Sequence, residues 1–126
     1  HVHGWLASLL PVYLKQYYKD EAIFEDTKIV TSIYESGFEG MLDAGLKSKM
    51  EFDAIDSKSL EGLATPNYEN IMKLCIDHSD ALVFGSEMVS PTLTKYIETS
   101  EKPFLPFTPK QDLKEAYSQF LKTKLF

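Results

Sequence analysis

Short apolar runs, each too brief for a helix, alternate along this chain with longer stretches at helical spacing, and that alternation restricts the fold to a few solutions. Lys28-Ile29-Val30-Thr31-Ser32-Ile33-Tyr34 is β-branched and free of Pro and Gly, which suits a strand buried on both faces of a parallel sheet. Ala81-Leu82-Val83-Phe84 is a second such run, stopped by Gly85-Ser86. His1-Val2-His3 reads as the last residues of another strand, with Gly4 permitting a tight turn into a helix. Lys102 to Phe107 is apolar but broken by Pro103 and Pro106. Proline cannot donate to a ladder, so this piece is an edge strand or an extended connector.

The intervening stretches read as helices. Trp5, Leu6, Leu9, Leu10, Tyr13 and Leu14 form an apolar stripe, kinked or restarted at Pro11. Gln16 to Asp26 reads as helix end and loop. Thr65-Pro66 predicts a helix with Thr as N-cap and Pro in the first position. Tyr68, Ile71, Met72, Leu74, Cys75 and Ile76 then make it largely buried, and Asp77-His78-Ser79-Asp80 ends it. Ser90-Pro91 opens another helix with Leu93, Tyr96 and Ile97 on one face. Thr108-Pro109-Lys110-Gln111 has the form of a capping box ahead of Leu113, Ala116, Tyr117, Phe120 and Leu121. Only Met41 to Ala64 has weak periodicity; one short helix and loop, an insertion or lid, is expected there. Strands alternating with helices imply right-handed parallel crossovers. The expected fold is α/β, a three-layer Rossmann-like parallel sheet, with residues 1–126 forming part of one domain.

Charge narrows the function. Against 19 Asp+Glu stand 13 basic residues, for a net charge of −6, and every basic residue is Lys. Nucleic acid needs a cationic face, so it is not an expected partner. Without Arg, bidentate clamping of phosphate or carboxylate is unavailable within the chain. No run reaches the roughly 18 apolar residues of a membrane span, so no membrane is expected. The single cysteine, Cys75, cannot pair internally, which makes a reducing cytoplasmic setting the simplest expectation. The chain opens at His1 inside an apolar segment, so its natural N-terminus is expected to lie upstream. Its last helix reads as a natural end.

A glycine-bearing loop, Glu35-Ser36-Gly37-Phe38-Glu39-Gly40, comes directly after the strand ending at Tyr34. In open α/β sheets the carboxyl edge of the strands is where ligands bind. Tyr34 and Glu35 are therefore candidate ligand contacts, or else loop residues holding Gly37 and Gly40 in place. Glu35 and Glu39 have the residue types of an acid–base pair, although two carboxylates in one loop are usually solvated. His1 and His3 share a strand face, but two metal ligands without a third make a poor site, and burial is their expected role. Asp77, His78 and Asp80 fit a helix end and turn better than a relay. Cys75 is expected to be a small core residue. No serine–histidine–aspartate order, phosphate loop or dinucleotide fingerprint is present, and no cofactor or metal is expected.

His1-Val2-His3-Gly4-Trp5 followed by Leu9-Leu10-Pro11 resembles a segment of bacterial glycogen and starch synthases, His-x-His-Asp-Trp before a leucine-leucine-proline helix. Lys28 to Gly40 is similar to that family's next strand and loop, whose aromatic-Gln-Gly ending is here Phe38-Glu39-Gly40. Asn70 to Glu87 resembles a further stretch, through Met72-Lys73, Ser79-Asp80-Ala81 and Ser86-Glu87. The ordered set covers most of residues 1–100. The resemblance implies part of the N-terminal Rossmann-like domain of a two-domain retaining glucosyltransferase. Such an enzyme moves glucose from ADP-glucose to an α-1,4-glucan, with most nucleotide contacts in a second domain. It implies Gly4, Trp5, Tyr34 and Glu35 as substrate-binding positions, Trp5 either stacking on a sugar or serving the core, and leaves the catalytic residues unknown. It implies an α-glucan acceptor and a nucleotide sugar as partners, with an oligomer or partner domain also open. Gly4 stands where the family motif has Asp, Tyr34 where it has His and Glu35 where it has Asn. The missing carboxylate and imidazole imply weakened catalysis, or an inactive relative that binds glucan or protein.

Overall fold

The computed structural model describes residues 1–126. Four strands, β1 (Val2–His3), β2 (Val30–Ile33), β3 (Ala81–Phe84) and β4 (Phe104–Leu105), form one sheet in the order β1-β2-β3-β4, with each neighbouring pair parallel. Five helices accompany them: α1 (Leu10–Lys15), α2 (Leu46–Phe52), α3 (Tyr68–Asp77), α4 (Pro91–Thr99) and α5 (Lys110–Lys124). The α/β, Rossmann-like expectation holds.

Because spatial order equals chain order, each crossover steps the same way across the sheet. Crossovers of one hand then deposit their helices on one face. Side chains alternate across a strand, and here the alternation divides the core in two. Ile33 and Leu82 point to Met72 and Ile76 of α3 and to Leu93 and Ile97 of α4. Val30, Ala81 and Val83 point the other way, to Phe120 of α5. Helices thus cover both faces, giving the three layers. The one polar pair inside the central layer is satisfied: buried Thr31 and Ser79 share a hydroxyl hydrogen bond of 2.7 Å.

Of the two readings at Pro11 the restart holds, while other local expectations are corrected. The stripe from Trp5 to Leu14 is a 3-10 turn, Trp5–Ala7, and then a separate α1 that restarts at Leu10, with Pro11 in its first turn where no donor is missed. Thr65 does not cap α3. Asn67 does, its side chain accepting from the Asn70 amide at 2.8 Å, while Pro66 falls before the helix. At α5 the N-cap position is Pro109, and the Thr108 hydroxyl turns back to the Pro106 carbonyl, so no capping box forms. Residues 41–64 hold α2 and a 3-10 turn, Glu61–Ala64, and are not a lid: Met50, Ile55, Leu60 and Leu63 are buried against Val12, Ile71 and Leu74. Their pattern is weak because each short element contributes only one or two core residues.

The far edge of the sheet is structural. Lys102 Nζ donates to the carbonyls of Ile76, Asp77 and Ser79 at 2.7, 2.6 and 2.7 Å, closing the end of α3. His78 caps the same helix, its Nδ1 2.9 Å from the Leu74 carbonyl. Asp80 accepts from the Ile29 amide at 2.7 Å and pairs with Lys15 at 3.0 Å. Asp77, His78 and Asp80 are helix-end and turn residues.

Candidate functional site at the carboxyl edge of the sheet

The turn after β1 and the turn after β2 leave the same edge side by side. Gly4 takes φ +69°, a left-handed conformation that suits glycine, and its amide donates to the Ser32 carbonyl at 3.1 Å. The Tyr34 ring lies next to it; a Cβ on Gly4 would stand 3.8 Å from Tyr34 Cδ2. The turn after β3 joins them, because the Glu35 amide donates to Ser86 Oγ at 3.0 Å and the Gly85 amide to the Ile33 carbonyl at 2.8 Å. Three parallel strand ends therefore open onto one rim.

The four sequence-derived positions divide between the two sides of this rim. Trp5 is half-buried on the α3 side, packed on the Ile33–Met72–Leu82 cluster with its ring 4.7 Å from Phe38. Its core reading accounts for these contacts. Phe38 meets the Tyr68 ring edge-on at 5.9 Å, and the Tyr68 hydroxyl donates to the Tyr34 carbonyl at 3.2 Å. Burial holds the Tyr68 phenol above its ordinary pKa of 10.0, with Glu69 adding to the effect. Glu35 and Glu39 are both exposed. Tyr34 faces the α5 side.

On that side lies a cavity of about 460 Å³, lined by Ser32, His3, Tyr34 and Gly85 from the strand ends and by Lys114 and Tyr117 from α5, among others. The size is that of small-molecule sites, about 300–1,000 Å³. His1 and His3 stand here and are exposed rather than buried, which corrects the sequence expectation. They form a chain of rings and polar contacts. His1 stacks on His3 at 4.1 Å and on Tyr117 at 5.1 Å. His1 Nε2 is 2.7 Å from Ser32 Oγ, and its Nδ1 is 2.9 Å from the Tyr117 hydroxyl. His3 Nδ1 is 2.7 Å from the Tyr34 hydroxyl. Burial raises the Tyr117 phenol above 10.0.

Sequence reasoning missed the α5 residues. Lys110, Lys114 and Tyr117 have an i, i+4, i+7 spacing that places them on one helix face, but nothing local tells that this face meets β1. No group of three or more His, Cys, Asp or Glu side chains comes together as a metal site. Cys75 is buried, and that burial pushes its thiol from 9.0 to about 11, which removes it as a nucleophile near neutrality. No helix is long and apolar enough to cross a membrane.

Comparison with known proteins agrees with this geometry. The family model for the starch synthase catalytic domain matches residues 1–107. The glycogen synthase of Thermosipho africanus is 32% identical over 103 residues, covering 80% of this chain and 20% of that protein. The glycogen synthase of Thermotoga maritima is 33% identical over 107 residues, again 80% of this chain and 20% of the relative. A shorter match, 36% over 56 residues, links the chain to the glycogen synthase of Elusimicrobium minutum. No solved structure matches. The chain spans about a fifth of the length of the curated relatives it matches. With its parallel sheet, its joined strand-end turns and a family match over 107 of its residues, this chain belongs to the starch synthase catalytic domain family.

Proposed function

We propose that these residues are the sugar-facing part of a glucosyltransferase that moves glucose from ADP-glucose onto an α-1,4-glucan, with most nucleotide contacts supplied from outside residues 1–126. The observation that carries this reading is the adjacency of the β1 and β2 turns, tied by the Gly4–Ser32 bond, in a chain matched by the starch synthase model. Gly4, Trp5, Tyr34 and Glu35 would meet the glucan there. Phenol and carboxylate groups on a rim suit sugar hydroxyls, which both donate and accept. A cytoplasmic location, where a nucleotide sugar is available, fits the single unpaired Cys75.

One observation favours a second reading, a glucan-binding relative without turnover. Tyr34 stands where the family motif has His, and its phenol is engaged with His3 Nδ1 at 2.7 Å. A phenol has a single hydroxyl and lacks the two ring nitrogens through which an imidazole takes up and passes on a proton. Gly4 supplies no carboxylate. The test has two arms. Titration of the chain with maltoheptaose, followed by amide resonances, should perturb Gly4, Glu35 and Gly85 first. The longest polypeptide containing this chain should then incorporate label from ADP-glucose into glycogen. Binding with no incorporation selects the second reading; unperturbed amides at millimolar maltoheptaose end both.

A further inference from the structure

The cavity on the α5 side has a composition that glucan binding does not explain. The chain carries a net charge of −6, yet no Asp or Glu lines this cavity, while Lys110, Lys114, His1 and His3 do. Both lysines lie beyond residue 107, outside the span matched by the family model. Neither is in an ion pair, so their charge is available to a ligand. The imidazoles are oriented. The His3 ring is anchored at Nδ1, 2.7 Å from the Tyr34 hydroxyl, and its Nε2 makes no hydrogen bond within the chain. Lys110, Lys114 and His3 thus line one space together with Val83, Phe84 and Leu113, with no acceptor carboxylate among them.

We propose that this cavity binds a dianionic phosphate, free or carried on a small ester, between the ammonium groups of Lys110 and Lys114 and the Nε2 of His3. Lysine is a point charge that suits a tetrahedral anion, whereas a planar carboxylate is best held by the fork of Arg, which this chain lacks. The site needs neither glucan nor nucleotide; it shares Tyr34 and Gly85 with the proposed glucan rim, but its lysines come from α5. Because α5 supplies the cations, the site belongs to this chain's own arrangement of helix and sheet.

The test is calorimetric titration of the 126-residue chain at about 0.15 M salt, where exposed charges are screened beyond roughly 8 Å. The probes are inorganic phosphate, ribose 5-phosphate, ribose and acetate. Both phosphates should bind, and ribose and acetate should not. Tighter binding of ribose 5-phosphate than of inorganic phosphate identifies an ester as the ligand, and equal affinity identifies the free anion; either supports the site. The double variant Lys110→Gln, Lys114→Gln should weaken phosphate binding at least tenfold. Lys122→Gln with Lys124→Gln, an equal charge change elsewhere on α5, should leave it unchanged. Acetate binding as tightly as phosphate, or the same loss in both double variants, would reduce the effect to bulk charge and overturn the proposal.

Discussion

At the scale of single residues the rim depends on one glycine. Gly85 comes directly after β3, its amide is fixed to the Ile33 carbonyl, and the Tyr34 ring lies directly over its α-carbon. A Cβ at this position would stand 2.8 Å from Tyr34 Cδ1 and Cζ, closer than packed carbons approach. Since the backbone is held, the ring must swing. Gly85→Ala should therefore break the Tyr34–His3 hydrogen bond and cost about 1–3 kcal/mol, as overpacking does. In Tyr34→Ala the same glycine substitution should cost almost nothing. Urea unfolding of the four chains measures the coupling, and additive losses would show that the ring is not the obstacle. Gly85 was legible in the sequence as the stop after a strand, and Gly4 as a tight turn. The His3–Tyr34 and His1–Tyr117 pairs were not. Their partners are 31 and 116 residues apart, and only the strand register and the seat of α5 bring them together.

Elements were legible in kind and less so in their ends. The β-branched run before Tyr34 and the apolar run before Gly85 became β2 and β3, because their composition allowed nothing else. Caps misled where several capping residues stood close together. Thr65 and Asn67 both can cap, and Asn67 alone has the extended backbone and reaches the Asn70 amide. The seat of α5 was legible only in part. Its apolar spacing announced an amphipathic helix, but of that stripe Phe120 alone is buried, with Tyr117, Leu121 and Leu125 packed beside it on Val30, Ala81 and Val83. So narrow an anchor should be sensitive. Phe120→Ala is expected to cost about 3 kcal/mol, the low end for a buried phenylalanine. Hydrogen exchange should rise throughout α5 while α3 and α4 keep their protection. A loss spread equally over all helices would mean that the two cores unfold as one unit.

For the whole molecule, the three-layer arrangement was legible from alternation, but the side taken by each helix was not, because it is set by strand order. That order also distributes the groups that respond to alkali. Tyr13 of α1 donates to Asp53 at 2.7 Å, and Tyr96 of α4 donates to Asp77 at 2.6 Å. Burial first, and then the bonded carboxylate, raise each phenol from 10.0 to about 12. Cys75, on α3 against Thr31 of β2, is raised by burial to about 11. In all three the folded chain keeps a proton that the unfolded chain releases. Their contribution to stability is complete below about pH 9 and is lost as the pH climbs through 11 and 12. Lys102 acts in the opposite sense: burial lowers its pKa below 10.5, so losing its proton becomes easier in the fold, and stability rises with pH across that window. Tyr68 and Tyr117, also raised by burial, act in the same sense as the first three, so five groups oppose one and the net slope is negative. The urea midpoint should be level near neutrality and fall steadily above about pH 9. Tyr13→Phe should begin less stable at neutral pH, having lost a bond to Asp53, but decline less steeply in alkali. A wild-type midpoint unchanged from pH 9 to 11.5 would mean that these phenols are not held protonated by the fold.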